Sequence, residues 1–128
     1  DRSPSRGLGD VYKRQVLYFI WKEPWMTVSR DTYISQFLAL VGWHTQCHDA
    51  ASRYPKVNIT RDLLADTDLV LFSSEPYPFA LTDIDNFRAA YPYGDAHLLP
   101  IDGEMTSWYG SRAIEGLRYL RHLAEAVT

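Results

Sequence analysis

Three carboxylates could do chemistry in this chain. Glu75 follows one apolar run, and Asp102 and Glu104 follow another, so the three could converge if both runs are neighbouring strands. Convergent acids can bind Mg²⁺ or share work as an acid–base pair. A phosphoryl-transfer enzyme would add a glycine-rich phosphate cradle, and neither GxGxxG nor GxxxxGK[ST] occurs. Caps, turns and ligand contacts are the other uses open to these acids. His44 and His48 stand four apart, but they follow a helix-stopping Gly42 and read as loop, and a zinc site needs three or four ligands. His97 reads as a strand-entry residue and His122 as a solvated helix residue. Cys47 is the single cysteine; it has no disulfide partner within the chain and no CxxC mate, and reads as a semi-buried thiol. Ser73, Ser74, Ser107 and Ser111 lack the GxSxG setting of an activated nucleophile. No catalytic residue and no metal ligand is therefore assigned.

The aromatics say more. Three loops follow apolar runs: Trp21-Lys22-Glu23-Pro24-Trp25-Met26, Ser73-Ser74-Glu75-Pro76-Tyr77-Pro78-Phe79, and Asp102-Gly103-Glu104-Met105-Thr106-Ser107-Trp108-Tyr109. Any one aromatic could simply roof the core. Clustered after three separate strands and stiffened by prolines, they point to a pocket wall suited to a large, planar, partly apolar ligand.

The elements that would position these loops follow from apolar spacing. Val16–Ile20 reads as a buried strand, rich in β-formers. Ser29 or Asp31 can cap the next helix, with Ile34, Phe37, Leu38 and Val41 at helical spacing and Gly42 at its end. Residues 43–57 look irregular, with room for one short edge strand. Asn58 or Thr60 can cap a brief helix through Leu64. Asp68–Ser73 is the clearest buried strand. Thr82 caps a helix through Ala90 that turns Ile84 and Phe87 inward, and His97–Ile101 is the third main strand. Ser107 or Ser111 opens the last helix, whose Ile114, Leu117, Leu120 and Leu123 share one face. Strands alternating with helices imply parallel pairing, hence an α/β fold of three layers with a mostly parallel sheet.

The totals fit one domain: 128 residues, 46% hydrophobic and 23% charged. A net charge of −3, with no dense basic run, argues against a nucleic-acid partner. No apolar run approaches the roughly 20 residues needed to cross a bilayer, and no signal peptide opens the chain. Residues 1–15, DRSPSRGLGDVYKRQ, lack helical or strand periodicity and are expected to be disordered. They resemble translated sequencing-adapter read-through and are set aside from the domain at 16–128, which holds 14 acids against 9 bases.

The ordered set VLYFIWKEPWMTVSRDTYISQFLALVGW, SRYPKV, DLVLFSSEPYPF and LLPIDGEMTSWYGSR resembles the carboxyl-terminal lobe of the periplasmic binding proteins for cobalamin and ferric siderophores. These are the helical-backbone metal receptors (class III binding proteins) of ABC importers. The resemblance spans essentially all of residues 16–128; each motif is degenerate alone, and their order is what is specific. It implies a β-α-β-α-β-α lobe of a two-lobe protein, with the amino-terminal lobe and most of a long connecting helix expected to be missing from this chain. It further implies a non-enzymatic, monomeric, periplasmic receptor with no resident cofactor, which holds a cobalamin or ferric chelate between two lobes and delivers it to a membrane permease. By resemblance the ligand-contacting positions are Trp21, Trp25, Tyr54 and the turn holding Asp102 and Glu104, with Trp108 after it; Glu75 and Tyr77, in the second aromatic-acid loop, join them on residue type and clustering. Family members dock on their permease through a Glu in the short helix after SRYP. Here Asn58-Ile59-Thr60-Arg61-Asp62 has no Glu, leaving Asp62 as the substitute. The competing expectation, from the residues alone, is a metal-dependent α/β enzyme using Glu75, Asp102 and Glu104.

Overall fold

The computed structural model describes residues 13–47, 49–107 and 110–127. Among these described residues four strands alternate with four helices: β1 (Arg14–Phe19), α1 (Tyr33–Ala39), β2 (Trp43–Thr45), α2 (Arg61–Ala65), β3 (Leu69–Ser73), α3 (Leu81–Ala90), β4 (His97–Ile101) and α4 (Arg112–Ala126). All strand pairs are parallel, in the order β2-β1-β3-β4. The α/β, three-layer expectation holds.

Side chains of a strand alternate between faces, and the two central strands are covered on both. Val16, Tyr18, Leu69 and Leu71 point to one core, closed by Phe37 and Leu38 of α1 and Leu120 of α4. Leu17, Phe19, Val70 and Phe72 point to the other, closed by Leu64 of α2 and Ile84 and Phe87 of α3. Burial on both faces is why these strands read as unbroken apolar runs rather than as alternating ones. At one edge, β4 carries exposed Pro100, a residue that a central strand would not tolerate because it lacks the N–H of the ladder.

Several boundaries differ from the sequence expectation. β1 begins at Arg14, so Arg14 and Gln15, grouped above with the leader, pair with Trp43 and His44. The Gln15 N–H also donates to the Asp68 carboxylate at 2.8 Å. His44, expected in a loop, therefore lies in β2, the short edge strand that the irregular stretch had room for. Residues 1–12 and His48 lie outside the described residues. Thr32, rather than Ser29 or Asp31, caps α1 by accepting from the Ser35 N–H. Ser29 is instead buried, where its hydroxyl joins Ser52 and Asp49. Gly42 takes the positive φ of +83° that ends α1. Thr60, one of two candidates, caps α2.

Thr82 is not the cap of α3, which starts one residue earlier. Ala80 holds that position, and its N–H is taken by the Asp83 carboxylate at 2.8 Å. The acid three residues on thus replaces a side-chain cap, one half of a capping box. In α4, which Ser111 precedes at the cap position, Leu120 is fully buried but Ile114 is 64% exposed. Ile114, Ala113 and Leu117 face Tyr33, Phe37 and Leu40 of the α1 segment across an apolar groove of about 340 Å³.

Candidate functional site

In an open parallel sheet the chain leaves a crevice outside the carboxyl ends of two adjacent strands where the winding reverses. With the order β2-β1-β3-β4, that crevice lies between β1 and β3. The loops that leave these two strands are the first two of the aromatic-acid loops.

The first loop is a tight antiparallel turn in which Trp21 and Met26 pair, the Met26 N–H bonding the Trp21 carbonyl at 3.1 Å. Glu23 adopts φ +54° at its tip, a conformation uncommon for a residue with a side chain. The outer side of the turn pairs with a later segment: Met26 bridges Lys56, and the Thr27 N–H bonds the Pro55 carbonyl at 3.0 Å. This brings Tyr54 alongside, 44% exposed. From the second loop the Tyr77 N–H reaches the Ile20 carbonyl at 3.2 Å, and its ring meets Trp21 edge to face, centroids 5.4 Å apart at 79°. Trp21 is 40% exposed. An exposed Trp held against a Tyr at the winding reversal is the core of the candidate surface.

Trp25 is placed otherwise. It is half-buried, stacked on Phe79 at 6.1 Å, edge to face with Phe87 at 5.2 Å and tilted against Phe19 at 4.7 Å. Its main work is to roof the core beneath α3. Sequence spacing alone did not separate Trp21 from Trp25; the turn does, by sending one outward and the other onto three phenylalanines.

The acids are brought to the same edge by hydrogen bonds that tie the second loop to the third and to the end of β4. The Gly103 N–H donates to the Ser74 hydroxyl at 2.9 Å, and the Ser74 N–H to the Ile101 carbonyl at 3.0 Å. The Asp102 carboxylate accepts the Glu104 N–H at 2.9 Å and caps its own turn, while its N–H donates to the Tyr119 hydroxyl at 2.9 Å. Glu75 and Glu104 are exposed and Asp102 is half-buried. Among the described residues no three of His, Cys, Asp and Glu are grouped so as to hold a metal ion. At this edge Ser74, Pro100, Ile101, Asp102 and Tyr119 line an open cleft of about 280 Å³. Trp108 lies outside the described residues. Asp62 is exposed in the first turn of α2. Cys47 is half-buried, and burial pushes its thiol up, away from the thiolate form.

Two features missed by sequence reading stiffen this edge. The first is a buried hydroxyl relay: Tyr18 Oη lies 2.7 Å from Thr106 Oγ1 and 3.3 Å from Ser73 Oγ, and Ser73 Oγ donates to the Glu75 carbonyl at 2.7 Å. It ties β1 to the second and third loops at once. Burial raises the Tyr18 pKa above its ordinary value, with the Ser73 and Thr106 bonds acting the other way. The group's contribution is therefore complete below pH 10 and falls away as pH rises through the raised value. Tyr18→Phe should cost about 1 kcal/mol in urea unfolding, because Ser73 and Thr106 keep their carbonyl partners. A loss above about 3 kcal/mol would mean that the relay is more strongly coupled than this.

The second feature is the ion pair between Lys22 and Asp83, Nζ to Oδ1 at 2.7 Å. The Ala80 N–H first and Lys22 second hold the Asp83 carboxyl below its ordinary 3.8. The hydrogen bond to Asp83 holds the Lys22 ammonium above its ordinary 10.5. Asp83 contributes above pH 3.8 and loses its contribution as pH falls through the lowered value; Lys22 contributes below 10.5 and loses its contribution as pH rises through the raised one. Emission from Trp21, isolated by Phe replacement of the other tryptophans, should thus stay constant between about pH 4 and pH 10. A transition near neutrality would contradict this pairing.

Solved structures share this architecture. The periplasmic vitamin B12 binding protein BtuF of Vibrio cholerae matches with a TM-score of 0.71 at 15% identity, over 90% of this chain and 45% of its own. An ABC transporter substrate-binding protein from Listeria monocytogenes matches at 0.67 and 19% identity, over 87% and 47%. A possible iron-binding (periplasmic solute-binding) protein from Staphylococcus epidermidis matches at 0.67 and 18% identity, over 89% and 46%. No protein-family model and no curated protein matches the chain. The chain spans about half the length of the solved structures it matches, and its fold is that of one half of each.

Proposed function

We propose that this chain is one lobe of the solute-binding component of an ABC importer, and that it takes a cobalamin or a ferric chelate on its strand-end face. The observation that carries this reading is the Trp21–Tyr77 pair, set in the crevice between β1 and β3 where a doubly wound sheet offers its binding edge. The match to solute-binding proteins over about half their length supports it. In this reading the lobe supplies one wall of a cleft. Trp21, Tyr77 and Tyr54 cover the apolar face of a macrocycle or chelate, and Asp102, Glu104 and Glu75 meet its polar rim. Trp25 backs the wall from the core side. An exposed half-wall rather than an enclosed pocket is what a single lobe should present.

Asp62, at the amino end of α2, is the group proposed to meet a basic patch on a membrane permease. The chelate and the permease are the proposed partners, the location is periplasmic, and the role is capture without catalysis. No helix among the described residues is long and apolar enough to cross a membrane.

The test is a fluorescence titration of the complete gene product that carries this chain, with cyanocobalamin and with a neutral ferric trihydroxamate. One of them should quench tryptophan emission saturably at micromolar concentration or below. Absence of saturable quenching by either would remove the ligand class.

A further inference from the structure

The Lys22–Asp83 pair joins residues 61 apart in sequence and lies beside the Trp21–Tyr77 pair. Lys22 Nζ is 2.7 Å from Asp83 Oδ1 and 5.4 Å from the centroid of the Tyr77 ring, so one ammonium serves a carboxylate and an aromatic face. Asp83 is itself fixed, because its other oxygen accepts the Ala80 N–H at 2.8 Å at the start of α3. The two side chains are only 26% and 13% exposed. Main-chain bonds hold Trp21 through Met26 and Tyr77 through Ile20, yet they leave both rings free to turn about their side-chain bonds. What confines the Tyr77 ring is Phe79 on one side at 4.6 Å, Trp21 against it, and the Lys22 ammonium over it.

We propose that Lys22, anchored by Asp83 to the amino end of α3, is a positioning residue that sets the Trp21–Tyr77 wall in its ligand-facing arrangement. The proposal rests on the reading that this wall meets the ligand. A partly exposed ion pair contributes little to global stability compared with its effect on the groups it touches. Its effect is local: it removes rotamers that the two rings would otherwise sample, so that binding need not freeze them. A lysine placed only for solubility would have no such consequence.

The test uses K22M, which keeps the aliphatic stem without the charge, and D83N, which keeps a carbonyl for the Ala80 N–H while losing the ion pair. K22R is the conservative control. In this chain, nuclear Overhauser contacts between the Trp21 indole and the Tyr77 ring should weaken in K22M and D83N and persist in K22R, with Tm unchanged in all three. In the complete gene product, affinity for whichever of cyanocobalamin or ferric trihydroxamate the wild type binds should fall roughly 3- to 10-fold in the first two variants and be retained in K22R. Unchanged ring contacts and affinity in both K22M and D83N would overturn the proposal. If the wild type binds neither chelate while the variants lose the ring contacts, the ligand reading falls and the clamp stands.

Discussion

Gly103→Ala should damage this protein more than most single methyl additions can. A Cβ at Gly103 would overlap Ser73 Oγ and lie 2.9 Å from Glu75 Cγ, so something has to move. Ser73 cannot move freely: it is fully buried and bonded to Tyr18 and to the Glu75 carbonyl. The strain should therefore open the contact between the second and third loops and cost about 1–3 kcal/mol, as overpacking of a filled site does. Ser74 would lose the Gly103 N–H, and the acids at 75, 102 and 104 would no longer be held on one edge. Urea unfolding measures the first effect and chelate affinity the second. Adding Ser73→Ala removes the atom that clashes, so the double variant should be less destabilised than the two single costs together imply. Wild-type stability in Gly103→Ala would show that the two loops are not packed as described.

The second large effect is a contrast between two tryptophans four residues apart. Trp21→Ala removes an indole that is 40% exposed and touches Tyr77, so stability should change by about 0.5 kcal/mol or less, as at surface sites generally. Chelate affinity should fall by about 1–3 kcal/mol, since an aromatic face that covers a ligand is worth that much in buried area. Trp25→Ala should do the reverse. It removes a ring that packs on Phe19, Phe79 and Phe87, and the loss of stability should approach the 3–5 kcal/mol typical of large aromatic truncations, near the lower end because the ring is only half-buried. Any loss of affinity there should follow from loosening of the turn. Equal effects of the two substitutions on affinity would erase the distinction between wall and roof.

Much of this fold was legible because its two central strands are buried on both faces. Val16–Ile20 and Leu69–Phe72 are continuous apolar runs, and only a sheet covered above and below produces them next to helical spacing. The location of the aromatic-acid loops at one edge followed from the parallel winding alone. What resisted reading was local and depended on partners far away in sequence. Ser29 was a reasonable cap by type, but it turns inward to carbonyls at Asp49 and Ser52. α3 starts at Leu81 because Asp83 reaches back to the Ala80 N–H, which makes a side-chain cap unnecessary. β1 reaches back to Arg14 because β2 and Asp68 supply its partners, which the polar composition of 1–15 gave no reason to expect.

The candidate site divides the same way. Residue types pointed to the aromatic loops, but the outward Trp21 and the inward Trp25 are distinguished only by the turn between them. The hydroxyl relay from Tyr18 and the Lys22–Asp83 pair use residues with no motif at all, and tertiary geometry alone shows them. Ile114 shows the opposite failure. It has the right spacing for a core face, yet it stands exposed beside the groove between α1 and α4.

The most direct test of the central claim is a two-dimensional amide shift map of this chain during titration with cyanocobalamin and with a ferric trihydroxamate. The strand-end face predicts shifts confined to Trp21–Met26, Arg53–Lys56, Ser74–Phe79 and Asp102–Ser107, with the Trp21 indole N–H among the largest. Shifts centred instead on Tyr33–Leu40 and Ala113–Leu117, or none with either chelate, would contradict it.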